Sequence, residues 1–552
     1  MKKLMQKKKL LISLSLLCFA TILLATNTME LMTTLYGENI GDQFGASIVA
    51  IDFNGDGYDD LVVKAHGWDP PDAEPYSQYL PYGKIYYFMG GEDFNSEPDY
   101  EFEGQYPRHL GNAFGNEDMA MINAGDMNGD GIDDLIVPEK QGMGFSSSIS
   151  LSVYFGKDIP TATPDIELIY PYLPDYISGV DVFPMGDING DGLADVSIRV
   201  ESGAGDNDVY IWTDVFGEPV LCESLPIMWL TGVGDVNMDG YSDMVKYHFV
   251  RIDETSNRDH YLTFYYGDEN ITMSDSLLIG YSNRPVDRYP CALGDINGDG
   301  YPDFFAFTDK VWFGGESISV TPNVIMDHQP WIAFDRGMRP SVINGDVNGD
   351  GYQDVIGFDH EAGYYSGYLY IWMGSPAMNG SLDFVSLGIT NYDNMNYGWS
   401  KATGDFKANG YCDIAVGAPW FATQSSGHFA TGRVYIMAGN ADLHETTVAN
   451  SDETAPFSNV EKWHTDIYPN PVTIQEPEFS ILFKGSGYKA TGNYHLEMYN
   501  IKGQKLLSQA IHMEDIKDGG LSLESGKLPK GVLIISISKD GIPVSTRKLT
   551  NY

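Results

Sequence analysis

Cysteine is scarce in this chain: four residues among 552, at Cys18, Cys222, Cys291 and Cys412. They are too few and too scattered for a disulfide framework, so sulfur cross-links do not organise the fold. The three beyond the N-terminus are expected to act as small buried apolar residues. Cations are also scarce, with 33 Lys and Arg against 77 Asp and Glu and a formal net charge of −44. That balance opposes binding to nucleic acid or anionic lipid, which needs basic patches, and no nucleic-acid partner is expected. The imbalance is local. Residues 26–460 carry 67 acidic and 17 basic side chains, whereas 461–552 carry 10 and 11. No apolar run beyond residue 25 is long enough to span a bilayer, so no transmembrane segment is expected in the mature chain. No sustained helical period appears beyond the N-terminus. A GxSxG elbow, an HExxH motif, a Walker loop and a dinucleotide fingerprint are all missing. Catalysis is left open by this, and the reading tilts toward a non-enzyme.

What the chain does have is a nine-residue acidic pattern, seven times over. The copies are DFNGDGYDD from Asp52, DMNGDGIDD from Asp126, DINGDGLAD from Asp187, DVNMDGYSD from Asp235, DINGDGYPD from Asp295, DVNGDGYQD from Asp346 and an altered DFKANGYCD from Asp405. Each intact copy has oxygen-bearing side chains at positions 1, 3, 5 and 9, a glycine at 6 that permits a sharp turn, and a backbone carbonyl to offer at 7. The candidate ligands are Asp52, Asn54, Asp56, Tyr58 and Asp60; Asp126, Asn128, Asp130, Ile132 and Asp134; Asp187, Asn189, Asp191, Leu193 and Asp195; Asp235, Asn237, Asp239, Tyr241 and Asp243; Asp295, Asn297, Asp299, Tyr301 and Asp303; Asp346, Asn348, Asp350, Tyr352 and Asp354. Several hard oxygens on a flexible loop suit Ca2+ better than Mg2+, which demands a stricter octahedron. The lack of His or Cys among them argues against zinc and copper. About six structural calcium ions are expected.

The start of the loop resembles an EF-hand or dockerin loop. Position 12, where an EF-hand places a Glu, is instead Val63, Val137, Ile198, Lys246, Ala306 or Gly357. Short β-prone runs follow, such as LVV from Leu61, so the loop reads as a β-hairpin tip. In the seventh copy Lys407 and Asn409 replace an oxygen donor and a carboxylate. That loop is expected to be metal-free, with the Lys407 ammonium bridging Asp405 and Asp413.

Successive copies start 74, 61, 48, 60, 51 and 59 residues apart. Each interval holds about four short strands and their turns, the content of one propeller blade. β-prone runs such as KIYYF from Lys84, DVYIW from Asp208 and YLYIW from Tyr368 recur at the expected places in the intervals. The fold class predicted is all-β: a seven-bladed β-propeller over residues 26–445, a linker at 446–462 and a small C-terminal β-sandwich over 463–552. Ring closure is favoured over an open solenoid because it protects strand edges.

FGAS at Phe44 and YGWS at Tyr397 each lie eight residues before a first Asp, and VGAP at Val416 follows the last loop. With the acidic loops, these words resemble the FG-GAP repeat of integrin α-subunit propellers and their bacterial relatives. The resemblance implies that calcium loops join the first two strands of each blade on one face, with adhesive surfaces on the other.

The N-terminus carries five lysines and then an apolar run from Leu10 to Ala25, which reads as a signal peptide over 1–25. Cys18 raises a lipoprotein alternative, but Leu17 stands where a small residue is expected. At the other end, YPNP from Tyr468, MYNIKGQ from Met498, LPKG from Leu528 and a short basic tail follow in order. This resembles the type A C-terminal sorting domain of type IX secretion cargo. An accessory carbohydrate-binding sandwich is the bland alternative. The resemblance implies type IX secretion machinery as a partner and an extracellular or outer-membrane-surface location.

The loops opposite the acidic tips vary most. HGWDPPDAEPYSQYLPYG from His66, DHEAGYYSG from Asp359 and APWFATQSSGHFATG from Ala418 fall in blades 1, 6 and 7, which closure makes neighbours. Long loops on rigid scaffolds often carry function. Trp68, Tyr76, Tyr79, Tyr82, Tyr364, Tyr365, Trp420 and Phe421 are therefore candidate ligand-binding residues, able to stack on sugars or anchor a protein. The expected function is a secreted or cell-surface binding and adhesion module for an extracellular glycan or protein. The alternatives are a polysaccharide lyase and a structural surface-layer component.

Overall fold

Alternating Val, Ile, Leu, Tyr and Phe in short runs between Gly- and Asp-rich turns favour strands, and strands are what form. The computed structural model describes residues 29–443 and 464–551, apart from 72–80, 106–119, 142–147, 170–176, 203–206, 226, 252–257, 283–289, 307–308, 327–341, 360–367, 388–399, 420–430, 469–477, 485–493, 501–504, 512–519, 525–530 and 540–541. Among the described residues there is no helix. The signal-peptide reading at 1–25 and the linker reading at 446–462 lie outside them.

Blade 1 is a four-stranded antiparallel meander of β2 (Phe44–Ile51), β3 (Asp60–Ala65), β4 (Lys84–Phe88) and β5 (Tyr100–Glu103). Five more meanders repeat this order, with first strands at Ile122–Gly125, Ile177–Gly186, Ile227–Gly234, Cys291–Gly294 and Val342–Gly345. The seventh is composite. β26 (Lys401–Gly404), β27 (Asp413–Ala418) and β28 (Arg433–Ala438) take their fourth strand from the start of the propeller, β1 (Glu30–Tyr36). β1 runs antiparallel to β28, with Tyr36 opposite Arg433 and Glu30 opposite Ala438. The sequence reading did not anticipate this strand. Its two charged or polar ends and the Thr33–Thr34 pair gave no clear alternation.

Among the described residues, seven apolar clusters lie between sheets, one for each pair of neighbours. Phe53, Val62, Tyr87 and Leu135 join blades 1 and 2. Phe264, Phe304 and Trp312 join blades 4 and 5. Phe44, Leu61, Phe406 and Val434 join blades 7 and 1. Second strands are sandwiched on both faces, so β3 and β27 are buried at every position. The expected count of seven blades in a closed ring is what the structure shows.

A second compact unit begins after Thr447. It contains two antiparallel sheets. One is formed by β29 (His464–Tyr468), β30 (Glu478–Lys484) and β33 (Gly520–Glu524). The other is formed by β32 (Lys505–Ile511), β31 (Tyr494–Asn500), β34 (Gly531–Lys539) and β35 (Ile542–Asn551).

Candidate metal-binding loops

Every acidic loop joins the first and second strands of its blade, so all seven stand at the same end of the ring. Their internal geometry repeats. In the second loop Asp126 Oδ1 accepts the Asp130 N–H at 3.2 Å and Oδ2 accepts the Gly131 N–H at 2.7 Å. Asn128 Oδ1 accepts the same Asp130 N–H at 2.8 Å, and Asp130 Oδ1 accepts the Ile132 N–H at 3.0 Å. Asn128 also donates to Asp130 Oδ2 at 3.0 Å. Positions 1, 3 and 5 thus shape the turn before any ion is considered. The fourth residue takes a positive φ, as at Gly298 (φ 76), and Met238 (φ 58) and Ala408 (φ 53) adopt it without a glycine.

Position 9 does a different job. Asp60, Asp134, Asp195, Asp243, Asp303 and Asp354 are fully buried. In loop 6, Asp354 Oδ2 accepts the Val347 N–H at 2.9 Å and Oδ1 accepts the Gly374 N–H at 2.8 Å. The carboxylate therefore ties the loop to the end of the third strand. Burial pushes the six acids up to about 7, and the carboxylates at positions 5 and 1 contribute to the rise.

The loops also fasten neighbouring blades together. The position-8 N–H of one blade donates to the position-1 carbonyl of the preceding blade: Ala194 to Asp126 at 2.8 Å, Ser242 to Asp187 at 2.7 Å, Gln353 to Asp295 at 3.2 Å and Cys412 to Asp346 at 2.9 Å. Pro302 holds this place in loop 5 and has no N–H to give. Where the ring closes, Gly91 donates to the Phe406 carbonyl at 3.0 Å and the Asp405 N–H donates to Asp59 Oδ2 at 2.8 Å.

Sequence reasoning credited position 7 with a carbonyl alone. Its side chain proves to pack on the preceding loop. A Cβ added at Gly298 would sit 2.3 Å from Tyr352 Cε1. Gly190 faces Tyr241, and Gly349 faces Tyr411, in the same way. The recurring glycine at position 4 and the large residue at position 7 are thus two halves of one contact across a blade boundary.

The donor set fits a hard divalent cation. Three carboxylates, an amide oxygen and a carbonyl occur within nine residues in each intact loop. Among the described residues, no three acidic, His or Cys side chains are drawn together into a closed cage. Buried oxygens without a donor do occur at two of the loops, Asp195 Oδ1 and Asp413 Oδ2. In the seventh loop the charge of Lys407 acts on Asp413 and lowers it, against the larger effect of burial, which raises it to about 7. Lys407 forms no ion pair with Asp405 or Asp413, so the bridge expected from the sequence is not made.

The candidate ligand face needs one correction. Trp68 is 2% exposed and belongs to the core between blades 7 and 1. Its Nε1 donates to Glu38 Oε2 at 3.3 Å, and the Lys84 ammonium lies 5.2 Å from its ring centre. Glu38, in the turn after β1, also holds Lys84 at 2.5 Å and accepts the Tyr86 hydroxyl at 3.0 Å. Trp68 is therefore a fixture of ring closure, not a stacking platform. Tyr82 is half-buried against the same core. Tyr76, Tyr79, Tyr364, Tyr365, Trp420 and Phe421 lie outside the described residues. Replacing Trp68 by Ala is expected to destabilise the propeller by about 3–5 kcal/mol through the cavity left in the core. Thermal melting checks this, and an unchanged melt would return Trp68 to the candidate ligand residues.

Fold and loops together define the class: a seven-bladed β-propeller whose blades each begin with an acidic hairpin tip. The FG-GAP repeat model matches residues 44–80, which include β2, the first acidic loop and β3. The chain is similar to phosphatidylinositol-glycan-specific phospholipase D of Dictyostelium discoideum, with 29% identity over 196 residues, 31% of this chain and 19% of that protein. It is similar to integrin alpha-PS5 of Drosophila melanogaster, with 31% identity over 169 residues, 30% of this chain and 15% of that protein. The chain thus spans less than a fifth of the length of either relative. Among solved structures, Aleuria aurantia lectin with alpha-methyl-L-fucoside matches 65% of this chain and 98% of its own, at 12% identity and a TM-score of 0.33. No helix among the described residues is long and apolar enough to cross a membrane.

Proposed function

We propose that this chain is an exported, calcium-stabilised propeller that acts as a binding or adhesion module for an extracellular glycan or protein. One observation carries the reading: the same oxygen-rich tip stands at the same end of every blade, where it supports the ring instead of forming one distinctive reaction centre. The FG-GAP match and the similarity to an integrin α chain support it. Ca2+ would sit in the six intact loops, held by positions 1, 3, 5, 7 and 9, and would supply positive charge where three carboxylates meet. It is assigned a structural role. Export would follow from the signal peptide at 1–25 and from the C-terminal unit, whose two sheets would pack as the sandwich of a type IX sorting domain. The mature protein would be secreted or displayed on the outer-membrane surface.

A glycan array probed with the full mature chain in calcium tests the function, alongside a release assay on acidic polysaccharides. Calcium-dependent retention without product release is the expected result. Released unsaturated sugars would favour a lyase, and no retention of any glycan or surface protein would favour a structural coat component.

The calcium assignment has a pH signature. An Asp in an unfolded chain titrates near 4, whereas the folded ninth-position acids lie at about 7. The folded, metal-free chain therefore holds protons that the unfolded chain has released. Its stability falls as pH rises from about 4 through 7. Calcium displaces those protons and is most effective once they are gone. Melting in calcium and in chelator should therefore diverge more at pH 8 than at pH 5. Equal divergence at both would count against ninth-position ligation.

The seventh loop offers a gain-of-site test. Restoring its donors with Lys407→Asn and Asn409→Asp is expected to add one bound ion by native mass spectrometry and to raise the melting temperature in calcium alone. The same ion count as the parent would show that the two substitutions are not what silences this loop.

A further inference from the structure

Five of the six intact loops finish their ninth carboxylate in one way. A glycine two residues beyond the third strand donates its N–H to Oδ1: Gly90 to Asp60 at 2.7 Å, Gly156 to Asp134 at 3.0 Å, Gly267 to Asp243 at 3.0 Å, Gly314 to Asp303 at 2.8 Å and Gly374 to Asp354 at 2.8 Å. Blade 3 breaks the rule. Its third strand, Asn207–Trp212, is followed by Asp214 in the glycine's place. Asp214 turns inward on its own loop, where Oδ1 accepts the Phe216 N–H at 2.9 Å and its carbonyl accepts the Gly217 N–H at 2.8 Å. Asp195 Oδ2 keeps its bond from the Ile188 N–H at 2.8 Å, but Oδ1 is buried with no partner. The Asn189 N–H lies near the carboxyl and eases its charge, yet falls outside hydrogen-bond geometry to Oδ1.

We propose that the third loop holds the tightest of the six ions, and that the bare oxygen of Asp195 is the cause. This rests on the calcium reading and deepens it. In the other loops the carboxylate is served by two backbone donors whether or not an ion is present. In loop 3 the metal-free state leaves a buried carboxyl oxygen without a donor, and a nearby cation relieves that cost. Leaving such a group unserved is costly enough to change affinity by about tenfold or more. Loop 3 is therefore the last to empty as calcium falls. Once it empties, blade 3 is the weakest part of the ring.

Stepwise calcium removal from the full chain, followed by native mass spectrometry and by calorimetric titration, tests this. The parent should retain one ion after five have been stripped. Asp195→Asn should lose that retention, while the matched Asp134→Asn in loop 2 keeps it. Asp214→Gly lies in an exposed turn and returns the glycine of the sister blades. It should bring the retained ion into the range of the others and raise the melting temperature in chelator. Six ions leaving together from the parent, identical behaviour of the two Asn variants, or no effect of Asp214→Gly on the metal-free melt would each overturn the proposal while calcium binding stood. No bound calcium at all would remove the calcium reading beneath it as well.

Discussion

A strong chelator should lower the melting temperature of this protein by on the order of 20 °C. Residues 26–460 carry 67 acidic against 17 basic side chains, and 18 of those carboxylates are the proposed donors of the six intact loops. Without cations, each intact loop keeps at least three carboxylates within nine residues, with the one at position 9 buried. The same loops carry bonds from blade to blade, such as Ser242 to Asp187 and Cys412 to Asp346, so repulsion within a loop loosens a junction. An ion that binds only the folded chain contributes about 2.7 kcal/mol at a hundredfold excess over its Kd. Six such ions contribute ~16 kcal/mol together, and a domain of this size shifts by roughly 1–2 °C per kcal/mol. Calorimetry in calcium, and then in chelator with calcium restored, measures this directly. A melt indifferent to both treatments would contradict structural calcium.

The second large effect separates two kinds of acidic residue in a single loop. Asp354→Ala is expected to destabilise the propeller by about 3–6 kcal/mol, even in chelator. Its two oxygens serve the Val347 and Gly374 N–H groups, which are left buried and without an acceptor when the carboxylate is removed. Asp350, in the same loop, is exposed and accepts the Tyr352 N–H at 3.0 Å. Asp350→Ala should be costly in calcium and cost only about 1 kcal/mol in chelator, because water can replace the exposed turn bonds it loses and its larger proposed contribution is to the ion. Comparing the two variants under both conditions distinguishes scaffold from ligand. If both variants lost equal stability in chelator, position 5 would be as structural as position 9, and its assignment as mainly a metal donor would fail.

The fold was largely legible because its rhythm is written in residues that permit few alternatives. An Asp/Asn/Gly tip followed by LVV or LIV, with no carboxylate at position 12, reads as a hairpin turn leading into a strand, and its recurrence sets the blade count. Less legible was what the repeats do to one another. The partner of the glycine at position 4 is an aromatic or aliphatic side chain about 50 to 80 residues further on, so no local pattern exposes it. The ninth Asp looks like one more ligand in the sequence, and only the folded chain shows it holding two backbone N–H groups. β1 was missed because an outer strand packed on one side needs no strict alternation. Trp68 was misassigned for the opposite reason. A tryptophan in a long, polar, proline-rich loop resembles a ligand platform, yet the turn after β1 brings Glu38 over it and seals it into the junction.

Anomalous scattering from crystals grown with calcium, and then with a lanthanide in its place, tests the central claim most directly. The account predicts six peaks, at the loops beginning with Asp52, Asp126, Asp187, Asp235, Asp295 and Asp346, and none at Asp405. Ions elsewhere on the propeller with these six loops bare, or a full peak beside Lys407, would contradict it.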